Sequence, residues 1–160
     1  MGNLFAASEI VEIGIQIEKN GCEFYSELAA KSKSLNSKEI FEYLANEEQK
    51  HIKVFKSILE KTQQYEPTQS FADDYLAYMR ALAAEHIFTQ EGKGKIAAQK
   101  ATSDIEAVNM GIGFEKESIV FYEGMKKVVP ANEHSIIDEL ILQEQHHLIQ
   151  LWELKEQLDK

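Results

Sequence analysis

Apolar residues recur at three- and four-residue steps through most of this chain. Ile10, Ile13, Ile17, Phe24 and Leu28 make one stripe; Phe41, Leu44, Phe55, Ile58 and Leu59 make a second. Near the end, Ile136, Ile137, Leu140, Ile141, Leu148, Leu151 and Leu154 make another. This period puts each set on one face of a helix. Start signals fall where they should. Asn36 with Glu39, and Ser103 with Glu106, read as capping boxes, and Asn132 reads as the cap of the last helix. Breaks fall at Lys31–Ser37 and at the two prolines, Pro67 and Pro130. The pattern predicts four long helices, over roughly residues 8–63 and 102–158.

Residues 64–101 follow another rule. They are too many for a tight turn between antiparallel helices. Phe71, Tyr75, Tyr78, Met79, Leu82 and Phe88 predict a short helix or two, and Glu91-Gly-Lys-Gly-Lys reads as a flexible break. The simplest arrangement is a crossover joining two helical hairpins into one all-α domain, 1–160.

The hairpins repeat each other. Residues 9–25 and 106–122 share eight identities in seventeen positions, among them Glu18 with Glu115 and Tyr25 with Tyr122. The Glu-Gln-x-His of Glu48 and His51 recurs as Glu144 and His147. Helix phase puts all six of these acids and histidines on core-facing stripes. Bare carboxylates buried together would repel or protonate. Two divalent ions remove that difficulty, and the set Glu18, Glu48, His51, Glu115, Glu144 and His147 suits iron, manganese or zinc. One Glu-x-x-His on a helix is usually surface decoration; two, each paired with an upstream core glutamate, are hard to obtain by accident. The small residues on these stripes (Gly14, Gly21, Gly111 and Ser118) would leave volume for ions, water or an oxidant.

Other residues carry less. Glu47 and His146 lie about 100° around the helix from the ligands, facing solvent or a bundle edge. His86 and His134 read as surface residues, and Trp152 as packing. Tyr25 and Tyr122 are candidates to bond ligating carboxylates or relay electrons; the alternative is core aromatics with satisfied hydroxyls. The lone Cys22 cannot form an internal disulfide and reads as a small buried residue. Gly92-Lys-Gly-Lys lacks the spacing of a phosphate loop.

Charge then excludes a partner class. With 27 acidic against 17 basic residues and a net charge of −10, the chain lacks the basic surface that nucleic acid requires. No apolar run reaches membrane-spanning length. The first residues read as neither a signal peptide nor, with Ala6 at the motif's sixth position, a myristoylation site at Gly2. The expectation is a cytoplasmic protein.

At the doubled Glu-Lys…Phe-Tyr and Glu-x-x-His motifs the chain resembles the rubrerythrin branch of the ferritin-like di-iron proteins. The resemblance covers all four long helices. It implies a ferritin-like four-helix bundle, two iron ions on the six residues named, and reduction of hydrogen peroxide or reaction with oxygen. Two departures matter. One cysteine cannot build the small iron domain with Cys-x-x-Cys pairs, so an external electron-donor protein is implied. Ser118 stands where the family usually carries a further glutamate, which puts efficient peroxidase activity in question. Two other functions fit the same residues: a ferroxidase or iron-handling protein, and a non-catalytic helical module stabilised by metal. Similar hairpins on a long crossover permit exchange between protomers, so a homodimer is expected.

Overall fold

The computed structural model describes residues 7–63, 73–86 and 88–160. Every element of eight residues or more is an α-helix: α1 (Ala7–Lys31), α2 (Leu35–Gln63), α3 (Asp73–Glu85), α4 (Lys93–Lys100), α5 (Asp104–Met125) and α6 (His134–Leu158). The readings placed on Gly2, Pro67 and Phe71 lie outside the described residues.

The four long helices are those the periodicity predicts. Helices α1 and α2 pack along each other, as do α5 and α6, and the two hairpins meet through α1 with α5 and α2 with α6. The apolar stripes face inward: Ile10, Ile17, Phe24, Phe41, Leu44, Phe55, Ile137 and Leu151 are all buried. Their removal from water is the main force holding the bundle closed.

Two of the three predicted starts are corrected. Ser103 does cap α5, accepting from the Glu106 N–H at 3.2 Å. Helix α2, however, begins at Leu35. Its cap is Ser34, whose hydroxyl accepts from the Ser37 N–H at 3.1 Å, while the Asn36 side chain reaches Gln157 on α6 at 2.6 Å. Helix α6 begins at His134 behind a single 3₁₀ turn, Ala131–Glu133, with no side-chain cap, so Asn132 is not its cap. Pro130 starts that turn, where its fixed φ fits and its missing N–H costs nothing.

The described end of the crossover, residues 88–101, is more ordered than its glycines suggested. Gly92 takes a left-handed φ of 80°, and α4 starts immediately after it. Helix α4 docks on α1 so closely that a Cβ on Gly94 would overlap the Asn20 carbonyl. Asn20 is fully buried and pins the segment three times. Its amide donates to the Phe88 and Gln90 carbonyls at 2.6 and 2.7 Å and accepts from the Gly94 N–H at 3.2 Å. Lys31 Nζ donates to the Ala98 and Ala101 carbonyls at the far end of α4. Helix α3 lies on α5, with Met79 buried against Gly124.

Candidate metal centre

The hairpin geometry carries each predicted ligand to the bundle axis. Glu18 comes from α1, Glu48 and His51 from α2, Glu115 from α5, and Glu144 and His147 from α6. All six side chains are at most 2 % exposed, in the apolar middle of the bundle. Their donor atoms form two overlapping quartets. Glu18, Glu48, His51 and Glu144 make one, and Glu48, Glu115, Glu144 and His147 the other, with all atoms of each within 4.8 Å of one another. Glu48 and Glu144 belong to both. Each quartet takes ligands from both hairpins.

The histidines present Nδ1 inward. His51 Nδ1 lies 2.8 Å from Glu144, 3.3 Å from Glu48 and 3.4 Å from Glu18. His147 Nδ1 lies 3.3 Å from Glu144, 3.5 Å from Glu48 and 3.7 Å from Glu115. The two rings stack, with centroids 5.5 Å apart. His51 Nε2–H donates to Gln143 Oε1 at 2.7 Å, which leaves Nδ1 as the nitrogen that faces the quartet.

Both tyrosines are buried and hydrogen-bonded to acids of the cluster. Tyr25 Oη on α1 donates to Glu115 Oε1 on α5 at 2.5 Å. Tyr122 Oη on α5 donates to Glu18 Oε1 on α1. Each hairpin's tyrosine therefore steadies the other hairpin's glutamate, whereas its sequence stripe pointed only to the acid on its own helix. Burial, and then the adjacent carboxylates, push both phenols up, so the hydroxyls stay protonated.

Whether this set fits a metal pair can be judged from what it leaves unsatisfied. Glu18 Oε2, both oxygens of Glu48 and of Glu144, Glu115 Oε2, and Nδ1 of each histidine are buried without a hydrogen-bond partner. Such atoms are costly in a protein interior. Burial, and then repulsion from Glu48 and Glu144, drive the Glu18 and Glu115 carboxyls well above the usual range. Burial also opposes charge on His51 and His147, but the facing carboxylates outweigh it and hold both rings well above the ordinary imidazole range. For Glu48 and Glu144 burial works upward too. The close approach of a neighbouring acid (Glu18 for Glu48, Glu115 for Glu144) and of the two histidines nevertheless keeps them below the usual carboxylate range. Four carboxylates and two neutral imidazoles facing inward balance two divalent cations in charge, and every orphaned atom is a normal ligand for one. The residues fit.

Several neighbours differ from their sequence reading. The glycines do not leave space. Side chains fill it: Met125 and Phe55 at Gly14, the Phe114 ring 2.7 Å from where a Cβ would stand at Gly21, and Leu151 and Tyr25 at Gly111. Close packing claims any room that no ligand holds open. Glu47 is half-buried, with a carboxylate oxygen within 4.8 Å of a ring nitrogen of both His51 and His147. It is the repeat counterpart of Gln143, which is the signal that could have drawn attention to both. Cys22 is half-exposed and donates to Gln49. Trp152 is 52 % exposed rather than packed. His146 is exposed, as expected.

His86 departs most. It is buried beneath the crossover, with its ring edge-on to Phe114. Its Nδ1 accepts from the Phe88 N–H at 3.1 Å, and its Nε2 lies 3.2 Å from Ser118 Oγ. Burial pushes its pKa down to about 4, so the ring is neutral at ordinary pH.

Comparison with known proteins agrees with this geometry. A putative ferritin-like diiron-carboxylate protein from Thermotoga maritima has the same fold, with a TM-score of 0.68 and 23 % identity over 94 % of this chain and 95 % of that one. No curated protein matches the chain. The rubrerythrin family model matches residues 9–155, and the chain belongs to the rubrerythrin family.

Proposed function

We propose that this protein is a non-haem di-iron oxidoreductase that reduces hydrogen peroxide, or reacts with oxygen, using electrons from an external protein donor. The observation that supports this most is the pair of quartets sharing Glu48 and Glu144. Two ions so close can act on one small oxidant together. When bound, the iron pair supplies the two electrons that reduce the O–O bond of a peroxide to two waters.

The chain supplies the rest. Glu18 and His51 would hold one ion and Glu115 and His147 the other, with Glu48 and Glu144 available to both. Gln143 fixes the His51 tautomer, and Tyr25 and Tyr122 fix one oxygen of Glu115 and Glu18, leaving the other free to ligate. Leu44, Phe55 and Leu140, all buried, line the bundle interior around the ligands and exclude bulk water. The phenols of Tyr25 and Tyr122 also place a proton beside the centre at each end.

The test is to load the protein anaerobically with ferrous iron and mix it with peroxide in stopped flow. Oxidation faster than that of free ferrous iron is expected; equal rates overturn the reading. Iron handling in a storage cage is the second reading, and light scattering separates them. We propose a homodimer, consistent with the exposed apolar flank of Leu142, Ile149 and Trp152 on α6; a particle of about two dozen subunits would favour storage. No described helix is long and apolar enough to cross a membrane. A cytoplasmic setting remains our proposal.

A further inference from the structure

The six ligands are matched by the repeat, but the residue one turn beyond each first-helix glutamate is not. Beyond Glu18 stands Gly21, and the Phe114 ring occupies the place its side chain would take. Beyond Glu115 stands Ser118, fully buried, with His86 from the crossover lying against its hydroxyl. Nothing in the other half corresponds to His86, because the crossover occurs once in the chain.

Hydrogen bonding gives this pair a direction. Nδ1 of His86 is occupied by the Phe88 N–H, so the ring proton sits on Nε2 and points at Ser118 Oγ. With its oxygen accepting from His86, the Ser118 hydroxyl has its own hydrogen to donate. Ser118 and Glu115 share one face of α5, three residues apart. A neutral donor pair therefore lies one turn along α5 from Glu115, at a cluster whose two tyrosines are already committed to Glu18 and Glu115. His86 also lines two surface cavities, one of about 320 Å³ beside Lys93 and Lys100, the other of about 220 Å³ beside Lys116. It thus reaches these surface cavities on one side and Ser118 on the other. The larger cavity sets Lys93 and Lys100 against Glu85 alone and is the one that favours the approach of anions, whereas Glu85 and Glu117 outnumber Lys116 in the smaller.

We propose that Ser118 and His86 form a hydrogen-bonding seat for a small monovalent anion of the size of azide, formate or hydroperoxide, at the Glu115 end of the metal centre. The anion ligates through one atom and accepts from the Ser118 hydroxyl through another, while His86 Nε2–H holds that hydroxyl in place. Ser118 contacts the anion; His86 is a positioning residue. The seat exists at one end only, so the two ions are unlike in what they can bind although their protein ligands match. This inference rests on the di-metal reading above.

Azide is the probe. Protein loaded with iron and oxidised is titrated with azide at neutral pH and followed by optical absorption, with iron content and thermal midpoint measured on every sample. Ser118→Ala and His86→Phe are each expected to raise the azide Kd about tenfold, with iron content unchanged. His86→Gln, whose amide can reach the same hydroxyl, is expected to recover part of the loss. If both Ser118→Ala and His86→Gln bind azide within about twofold of the parent while holding two irons, the seat is wrong. If the parent itself fails to hold two irons, the di-metal reading falls, and this one with it. Should His86→Phe not fold, the other two variants decide.

Discussion

Single residues here differ in how many ions depend on them. Glu48 and Glu144 serve both quartets, whereas Glu18 serves one. Glu18→Ala should therefore leave about one iron per chain, at the end held by Glu115 and His147. Glu48→Ala should leave less than one. Metal analysis after gel filtration tests this, and equal losses in the two variants would contradict shared ligation. Tyr25→Phe removes one hydrogen bond from Glu115 and leaves its packing on Phe41 and Phe114 intact. Loss of such an outer partner typically weakens metal binding by about 10- to 100-fold. Chelator competition should detect that, with the fold unchanged. The six acids and histidines of the buried cluster could be read from the sequence because their chemistry is rare in a core and their spacing is doubled. The residues that support them could not. Tyr25 acts across the bundle, ninety positions from Glu115. Gln143 reaches His51 over a similar gap, and His86 gains its meaning only from a serine on another helix.

At the scale of elements, periodicity carried the four long helices because each buries one continuous face. Of the two boundaries it misplaced, Asn36 lost to Ser34 by one hydrogen bond, and Asn132 lies inside a 3₁₀ turn that leads into α6 without any side-chain cap. The crossover was least legible. Its glycines signal flexibility locally, yet Gly94 is small because α1 leaves no room for more. Asn20 is the residue that turns this segment into structure. Asn20→Leu would leave the Phe88 and Gln90 carbonyls and the Gly94 N–H without their partner. At roughly 1–3 kcal/mol for each of the groups so stranded, a loss of at least about 3 kcal/mol in unfolding free energy is expected by chemical denaturation. Hydrogen exchange should rise first in residues 88–100. A change below about 1 kcal/mol would mean that α4 is held by its apolar face instead.

For the whole molecule, the buried cluster links stability to protons and metal. In the metal-free protein Glu18, Glu115, His51 and His147 all bind protons more tightly than they would unfolded. Groups raised in this way stabilise the fold below their unfolded pKa values and lose that contribution as pH rises. Glu48 and Glu144 act in the opposite sense, but only as pH falls below the carboxylate range. The thermal midpoint of the metal-free protein should therefore fall as pH is raised from about 5 through 9. Metal binding displaces those protons, so the loaded protein should lack this decline. Calorimetry of both forms across that window checks the sign; parallel curves would mean that the cluster does not titrate with folding. At a free metal concentration of 100 times Kd, loading should add about 2.7 kcal/mol per site.

The crossed hydroxyls of Tyr25 and Tyr122 carry a consequence for how the chain matures. Neither hairpin owns a finished half of the centre, since each quartet draws ligands from both, and the oxygen that steadies each outer glutamate arrives from the opposite side. A chain with only its first hairpin folded offers Glu18, Glu48 and His51, without Glu144 and without Tyr122. Tight metal uptake would thus be a logical conjunction: both hairpins must be docked before either quartet is complete. Iron content then counts the chains that have completed assembly, and a half-folded chain is a poor place for a reactive metal to linger.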